Sequence, residues 1–428
     1  MKLLKNYITD YFQEALAAAD SRGQKFFIVL NLLLPFFIGL YVFLNPFRVS
    51  SLKEALFYLS VLGALLVIIA GKTEFSFKWP LTIPFLFFFL WAVIGLFFTL
   101  DLHNTINDIR VYLINYLILF FLLVNTFNSR KKLESISWLL IISTAAFSVG
   151  AIVYFYFIQG NPFNARLGSN FRLMYTGTMC VVIVAAIPLM VNQLFRSRST
   201  MLRLLLGASL IVTTLATLLN QSRSGIIGLV AALSLLLINK KKAVVFVIVA
   251  LLLVVAIPGV RNRIIAEGLK DIRININRLF FEVVKDYPVT GVGFGISIYN
   301  NPELIDLTKY NEKIPEAYQM KPWWLINTPH NTYMSIAVRT GIVGLLFFLM
   351  APGIAVFLLW RVWKKSQSEY FRSWAVCLLA SLAAVMTQIL FVDMYHPTAI
   401  TYYTLLAMIT ILWSAARKDQ LSQNTGND

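Results

Sequence analysis

Long runs of apolar residues without a charged side chain recur along the whole chain, and they decide its fold class. Two of the clearest are residues 81–100 and 136–158. A helix needs about 20 apolar residues to cross the hydrocarbon core of a bilayer, so each of these runs is long enough to span it. Backbone polar groups inside lipid must be satisfied within the spanning segment, which a helix achieves. The sequence therefore predicts an all-α, multi-pass membrane protein.

About twelve transmembrane helices are predicted. They lie near residues 26–44, 56–70, 81–100, 111–127, 136–158, 174–194, 204–219, 226–238, 243–258, 332–360, 374–392 and 398–415. Composition agrees with this class, because hydrophobic residues make up 58% of the chain and charged residues only 13%. Soluble domains contain about 25% charged residues. We therefore interpret the net charge of +17 as a sign of membrane topology and expect no nucleic-acid partner.

Lysine and arginine indicate on which side of the membrane each loop lies, because cytoplasmic loops carry an excess of both. Loops with clustered cations, such as 196–203, 240–242 and 361–372, alternate along the chain with short loops that hold at most two. This alternation predicts that both termini are cytoplasmic. It also places the segments around Arg223 and His330 together on the opposite side.

One connector is much longer than the others. Residues 259–331 separate the ninth and tenth predicted spans, and connectors of this length are usually folded or functional. Apolar residues at helical spacing within 260–285 predict an amphipathic helix. We interpret the Gly-x-Gly-x-Gly run at 291–295 as a flexible turn, because no strand precedes it as in a phosphate-binding loop. The predicted division of the chain is 1–258 with transmembrane helices 1–9, 259–331 as the large extracytoplasmic loop, and 332–428 with transmembrane helices 10–12 and a cytoplasmic tail.

Arg223 is the candidate for anion binding. It lies in the only break between two apolar runs, 204–219 and 226–238, and is therefore close to the lipid boundary. An arginine at the centre of a bilayer costs about 2.5 to 3.5 kcal/mol, and such residues usually pair with an anion or line a substrate path. The planar guanidinium fits phosphate oxygens. We predict that Arg223 binds an anionic headgroup.

Three more arginines, Arg166, Arg172 and Arg278, are predicted on the same side of the membrane. Arg166 and Arg172 have an alternative interpretation as ordinary interfacial cations. For Arg278 the alternative is an ion pair with Glu282, four residues further along the same predicted helix.

His330 is the candidate general base. It stands in Thr328-Pro329-His330-Asn331-Thr332-Tyr333, directly before the tenth predicted span. An imidazole can accept a proton from a hydroxyl group at neutral pH. The alternative is a histidine that only caps the helix or lies at the headgroup level. Neither a metal-ligand pattern nor a Gly-x-Ser-x-Gly motif is present in the sequence, so we expect neither a metal nor another cofactor.

Several of these features together resemble the O-antigen ligase and polymerase superfamily of bacterial inner membranes. They are the number of spans, the long late loop, Ser222-Arg223-Ser224-Gly225, and His330-Asn331-x-Tyr333 followed by Gly341-x-x-Gly344. Arg278, followed by Pro288-x-x-Gly291-x-Gly293, resembles a second essential arginine of that superfamily.

Two positions depart from the superfamily pattern. Arg166 resembles a further essential arginine, but Asn170-Phe171-Arg172 stands where Asn-Pro-Asn usually follows. Arg339 stands where the family more often has a neutral or acidic residue, and the sequence gives no reason for it.

The resemblance implies a GT-C-like fold with a large periplasmic loop that contains helices. It implies an O-antigen ligase of lipopolysaccharide biosynthesis, located in the inner membrane with its active site facing the periplasm. The donor would be a polysaccharide on undecaprenyl diphosphate, and the acceptor a sugar hydroxyl of the lipid A-core oligosaccharide. Transfer would invert the anomeric centre without a metal. His330 would be catalytic, and Arg223, Arg278, Arg166 and Arg172 would bind substrate.

Three further activities remain open at this point. One is a protein O-glycosyltransferase, another member of the same superfamily. A polymerase of the same superfamily would join glycan repeat units with similar donors. A flippase or other transporter of lipid-linked oligosaccharides is the alternative from a different class. A transporter predicts charged residues along a path through the spans, whereas almost all ionisable residues lie in the predicted loops, with Arg339 as the chief exception.

Overall fold

The computed structural model describes residues 22–71, 75–168, 179–237, 272–321 and 328–425. Within these ranges the regular elements are all helices and no strand is present, so the predicted all-α fold is confirmed. The α-helices, in chain order, are α1 (Arg22–Phe43), α2 (Ser50–Ile69), α3 (Thr82–Ile94), α4 (Leu102–Ile109), α5 (Asn115–Thr126), α6 (Arg130–Ile152), α7 (Met179–Arg196), α8 (Thr200–Leu219), α9 (Arg223–Leu237), α10 (Ile272–Asp286), α11 (Leu307–Glu312), α12 (Thr332–Lys365), α13 (Glu369–Gln388) and α14 (His396–Thr425).

The described residues contain 9 helical segments that are long and apolar enough to cross a membrane. Two shorter apolar helices, Thr82–Phe97 and Arg223–Leu236, coincide with the third and eighth predicted spans. The ninth predicted span, 243–258, lies outside the described residues. The membrane-protein class is thus shown, and the count of twelve spans stays a prediction.

Two helices form the centre of the bundle. The candidate spans that contain α7 and α14 are 78% and 83% buried inside the protein, far more than those that contain α1 or α8. Helix α13 packs against both α7 and α9, and α14 packs against α5. Since α9 begins at Arg223, this packing fixes the end of the helix that carries the candidate anion-binding residue.

The described part of the long connector, residues 272–321, folds onto the bundle instead of extending away from it. Helix α10 buries Ile276, Leu279, Phe280 and Val283, the face that its helical periodicity predicts. These side chains form one apolar cluster with residues of the 291–299 segment and with Ala337 and Val338 of α12. The loop and the beginning of α12 therefore share a hydrophobic core.

Helix α12 is broken at Gly341, which has φ 70° and ψ −179°. This conformation is essentially restricted to glycine. The break frees backbone groups that an unbroken helix would pair internally, and the connector pairs with them. Val292 N donates to Val338 O at 2.9 Å, and Ile342 N donates to Pro288 O at 2.8 Å. The connector is therefore hydrogen-bonded to the backbone of a membrane-spanning helix.

The glycines of the 291–295 run allow this close approach. A Cβ atom on Gly291 would lie 2.5 Å from the backbone of Arg339, and Gly291 itself has φ 67°. Our interpretation of the run as a flexible turn is wrong, because its backbone is held on both sides. Gly293 N donates to Arg339 O at 3.2 Å, and Leu100 N donates to Val292 O at 3.0 Å. The backbone around Val292 contacts the backbone at both Leu100 and Arg339, and this close approach requires the glycines.

Arg339, which the sequence left unexplained, holds the same segment from the side of α12. Its guanidinium is buried and donates to Phe294 O from both Nε, at 2.7 Å, and Nη2. The guanidinium also lies 4.0 Å from the centre of the Phe294 ring. The carboxylate of Asp108 interacts electrostatically with Arg339 and accepts a hydrogen bond from Ile296 N at 2.7 Å. Arg339 thus fixes the connector on the bundle.

We expect Gly341→Ala to destabilise the protein. Alanine at this backbone conformation costs about 1 to 3 kcal/mol in strain, and its Cβ would lie 1.9 Å from Val289 O unless the connector moves. Thermal unfolding of the purified protein in detergent measures the effect. Gly353→Ala is the matched control on the same helix, because nothing lies within 4 Å of its Cβ position. Equal melting temperatures for the two variants would contradict the role of the break.

Candidate functional site

A cavity of about 880 Å³ lies between α9, α10, the beginning of α12 and the connector from α13 to α14. Three arginines line it, namely Arg223 from α9 and Arg273 and Arg278 from α10. Much of the remaining wall is apolar, formed by Ile226, Ile227, Ile274, Phe281, Leu390 and Phe391. The cavity therefore combines cationic groups with a surface suited to a hydrophobic chain.

Arg223 is the first residue of α9 and is presented by a tightly packed turn. Ser222 caps the helix, since its Oγ accepts from Gly225 N at 3.4 Å. Gly225 permits close packing, because a Cβ atom there would lie 2.9 Å from the side chain of Cys180 on α7. The local structure thus explains the residue types in Ser222-Arg223-Ser224-Gly225. Serine begins the helix and glycine brings it against its neighbour, while the arginine faces the cavity.

Arg166 supports this turn from behind. Its Nε donates to Asn220 O at 2.9 Å, and Asn220 Nδ2 donates back to Leu167 O at 2.9 Å. Gln221, which adopts a positive φ of 52°, donates from Nε2 to Asn164 O at 3.1 Å. Arg166 is not among the residues that line the cavity. Its predicted contact with substrate is therefore untested, and the geometry gives it a role in positioning Arg223. Arg172 lies outside the described residues.

Arg278 faces the cavity with its guanidinium stacked on Tyr318, 3.5 Å from the ring centre. Stacking of this kind restrains the plane of the guanidinium and leaves its N–H groups directed outward. The alternative partner, Glu282, is bound instead by Lys285, with 2.7 Å between Oε1 and Nζ. This geometry favours anion binding by Arg278 over a pair within the helix.

Arg273 is a cavity residue that the sequence interpretation did not select. It lies within the amphipathic helix predicted at 260–285. Asn277 and Phe281 follow it at intervals of four residues and also line the cavity. Residues four apart share one face of a helix, but Arg278 follows Arg273 by five residues, so this spacing alone did not identify Arg273 from Arg278.

His330 lies beside the cavity, next to Asn331, which lines it. Its Nδ1 is 3.4 Å from Asp393 Oδ2, and the two side chains are 36% and 7% exposed. The hydroxyl of Thr328 joins them, because it donates to Asp393 Oδ2 and accepts from His330 N at 3.2 Å. The histidine is therefore partly accessible, and the carboxylate behind it is buried.

The backbone at His330 has a positive φ of 48°, which is uncommon for a residue other than glycine. Neighbouring hydrogen bonds hold it there. Asn331 Oδ1 caps α12 by accepting from Tyr333 N at 3.0 Å and Met334 N at 3.3 Å. Thr332 donates from its backbone N to Ile389 O at 2.9 Å and from Oγ1 to Val392 O at 2.7 Å. The start of α12 is thus fixed to the connector that carries Asp393.

Together, the fold and the site define a multi-pass helical membrane protein in which a cationic cavity adjoins a histidine backed by a carboxylate. Residues 208–349 match the model of the O-antigen ligase family. The match covers about a third of the chain and supports a place in the O-antigen ligase/polymerase superfamily, whose members are glycosyltransferase-like enzymes. No curated protein matched the chain. The matched segment contains α9, α10 and the break in α12, and therefore the three cavity arginines and His330.

Proposed function

We propose that the protein is an O-antigen ligase, which transfers a glycan from undecaprenyl diphosphate to a sugar hydroxyl of the lipid A-core oligosaccharide. The observation that carries the proposal is the convergence of Arg223, Arg273 and Arg278 on one cavity with apolar walls. A polyprenyl diphosphate presents two matching parts, an anionic headgroup and a long hydrocarbon chain. Guanidinium groups suit the first and the apolar wall suits the second.

The chemistry follows from the residues around the cavity. His330 accepts the proton of the acceptor hydroxyl as its oxygen attacks the anomeric carbon of the donor. The bond from that carbon to the diphosphate breaks, and the diphosphate leaves with the electron pair. The arginines stabilise the charge that develops on the leaving group, which reduces the need for a metal ion. Attack from the face opposite the diphosphate inverts the anomeric centre.

The position of Arg339 supports an enzyme over a transporter. A transporter that moves an anionic headgroup through the bundle would need charged groups along its path. Arg339 is the chief ionisable residue inside a predicted span, and its guanidinium donates to the carbonyl of Phe294. Its charge therefore serves the packing of the connector and does not mark a path.

Transfer by purified protein tests the proposed function and separates a ligase from a polymerase. The assay supplies the lipid-linked polysaccharide with lipid A-core as the acceptor. A ligase produces lipid A-core that carries the polysaccharide, and loss of the gene leaves lipid A-core unsubstituted while lipid-linked polymer accumulates. A polymerase lengthens the lipid-linked glycan without lipid A-core, and its loss leaves single repeat units. Absence of both products would contradict glycosyl transfer.

Thiol labelling tests the proposed inner-membrane orientation, in which the cavity faces the periplasm and both termini are cytoplasmic. Asn301 and Arg198 are exposed and are predicted on opposite sides. We expect a membrane-impermeant reagent to label Asn301→Cys in intact spheroplasts, and Arg198→Cys only after lysis. The native Cys180 and Cys377 are buried and should contribute little background. Labelling of Arg198→Cys in sealed cells would contradict the orientation.

A further inference from the structure

We infer that the predicted cytoplasmic end of the bundle binds the phosphate group of an anionic phospholipid through Arg130 and Arg196. Neither residue lines the cavity, and the inference does not depend on the proposed function. Arg130 begins α6 and Arg196 ends α7, so both lie at the ends of candidate membrane spans. In a bilayer, the ends of apolar spans lie at the depth of the lipid headgroups.

Both arginines contact a single aromatic ring. The ring belongs to Tyr370, the second residue of α13, and its centre lies 3.5 Å from Cζ of Arg130 and 4.2 Å from Cζ of Arg196. Contact with the ring restrains both side chains and holds their positive charges close together. Like charges at short range repel each other, so an anion bound beside them lowers the energy of the arrangement.

The carboxylates near this pair do not balance its charge. Glu134, four residues after Arg130, lies 3.9 Å from Arg196. Within the ranges that the structure describes, Arg130 forms no ion pair, and the exposed Glu369 pairs with neither arginine. One positive charge is therefore left for a ligand. The site is also accessible, because Arg130 is exposed and the Arg196 side chain is 30% exposed.

Buried donors on α7 continue the same polar face into the bundle. Asn192 and Gln193 precede Arg196 by four and three residues, so the three side chains share one face of the helix. Asn192 Nδ2 and Gln193 Nε2 are buried and have no acceptor among the described residues. Asn192 Oδ1 accepts from Ser373 Oγ at 2.5 Å, which directs this face toward α13, the helix of Tyr370. This end of the bundle thus has more donors than acceptors, and phosphate oxygens are strong acceptors.

The location favours a phospholipid as the source of the phosphate. Basic pockets between transmembrane helices on the cytoplasmic side bind the headgroups of anionic lipids. The cation-rich loops 196–203 and 361–372 directly follow α7 and directly precede α13, and they attract the same lipids. A free phosphate offers similar oxygens, but only a lipid is also held at this depth by its acyl chains.

Lipid binding by the purified protein in detergent tests the inference. We expect native mass spectrometry to show retention of phosphatidylglycerol over phosphatidylcholine when equal amounts are added. Arg130→Gln and Arg196→Gln should each weaken phosphatidylglycerol binding about tenfold or more, because each removes a charge-assisted contact with phosphate. Arg198→Gln is the matched control, since Arg198 is exposed in the adjoining loop, and this variant should bind like the wild type.

Glu134→Gln distinguishes a lipid site from a purely structural contact among three helices. This change removes the carboxylate beside Arg196 and keeps both arginines, so the uncompensated positive charge increases. A lipid site predicts tighter binding of phosphatidylglycerol and a larger rise in melting temperature when this lipid is added. A lower melting temperature with an unchanged response to phosphatidylglycerol would show a structural cluster and overturn the inference.

Three other results would also contradict the site. Unchanged phosphatidylglycerol binding in both glutamine variants would place the lipid elsewhere, and equal stabilisation by inorganic phosphate would show a site for a free anion. If the variants do not fold, the wild-type protein still decides, because equal retention of phosphatidylglycerol and phosphatidylcholine would exclude recognition of an anionic lipid. These measurements do not use glycan transfer, so their failure leaves the proposed function intact.

Discussion

Replacement of His330 by alanine is expected to lower the rate of glycan transfer by about 10² to 10⁴, the usual effect of removing a general base. The donor should still bind, because the cavity arginines come from α9 and α10 and do not depend on the imidazole. In His330→Ala, the rate of transfer from purified lipid-linked donor should therefore fall, while the affinity for the donor should change little. His330→Ala is measured beside His330→Asn, because asparagine tolerates the positive φ of 48° at this position better than alanine does.

His103→Ala is the matched control for this prediction. His103 is exposed and is not among the residues that line the cavity, so its replacement should leave transfer unchanged. Comparable activity in His330→Asn and His103→Ala would remove His330 from the reaction.

A second large effect is expected from Arg223→Lys, which keeps the charge but replaces the planar fork by a single ammonium group. If Arg223 and Arg278 bind the same diphosphate, each lysine variant should lose most of the activity. The double variant should lose less than the product of the two single losses, because either change already leaves the donor misplaced. Transfer rates of the single and double variants, at several donor concentrations, provide the measurement.

Arg110→Lys is the control for the loss of an arginine fork. Arg110 is exposed, donates to Asn107 Oδ1 at 3.1 Å and is not among the cavity residues. The Arg110→Lys variant should retain full activity. Wild-type activity in Arg223→Lys, or strictly multiplicative losses in the Arg223 and Arg278 pair, would contradict a shared phosphate site.

The bundle was predictable from sequence because a single physical requirement, the length of an apolar helix in a bilayer, leaves its signal in consecutive residues. The same holds for the buried face of α10 and for Arg223, which stands alone between two apolar runs. Asp393 gave no such signal. Asp393 contacts His330 from 63 residues further along the chain, and the sequence alone does not show which carboxylate lies behind this histidine.

The break in α12 shows a second limit of prediction. Gly341 lies within the predicted span 332–360, and its sequence neighbourhood is compatible with an ordinary helix. The reason for the break is on the connector, where Val289 O would meet a Cβ atom at this position. Arg339 was unexplained for the same reason, because its partner, Phe294 O, belongs to a segment 45 residues earlier.

The hydrogen bonds between the connector and the broken helix limit how this protein can be divided into exchangeable parts. A connector transplanted alone between relatives would lose the backbone partners at Val338 and Arg339 and the Ala337 and Val338 side chains of its apolar cluster. A chimera should instead exchange the connector together with the first ten residues of α12, from Thr332 to Gly341. If the proposed function holds, the smallest exchangeable unit for donor recognition includes part of the helical bundle, and a change of glycan preference must be compatible with both the connector and the bundle.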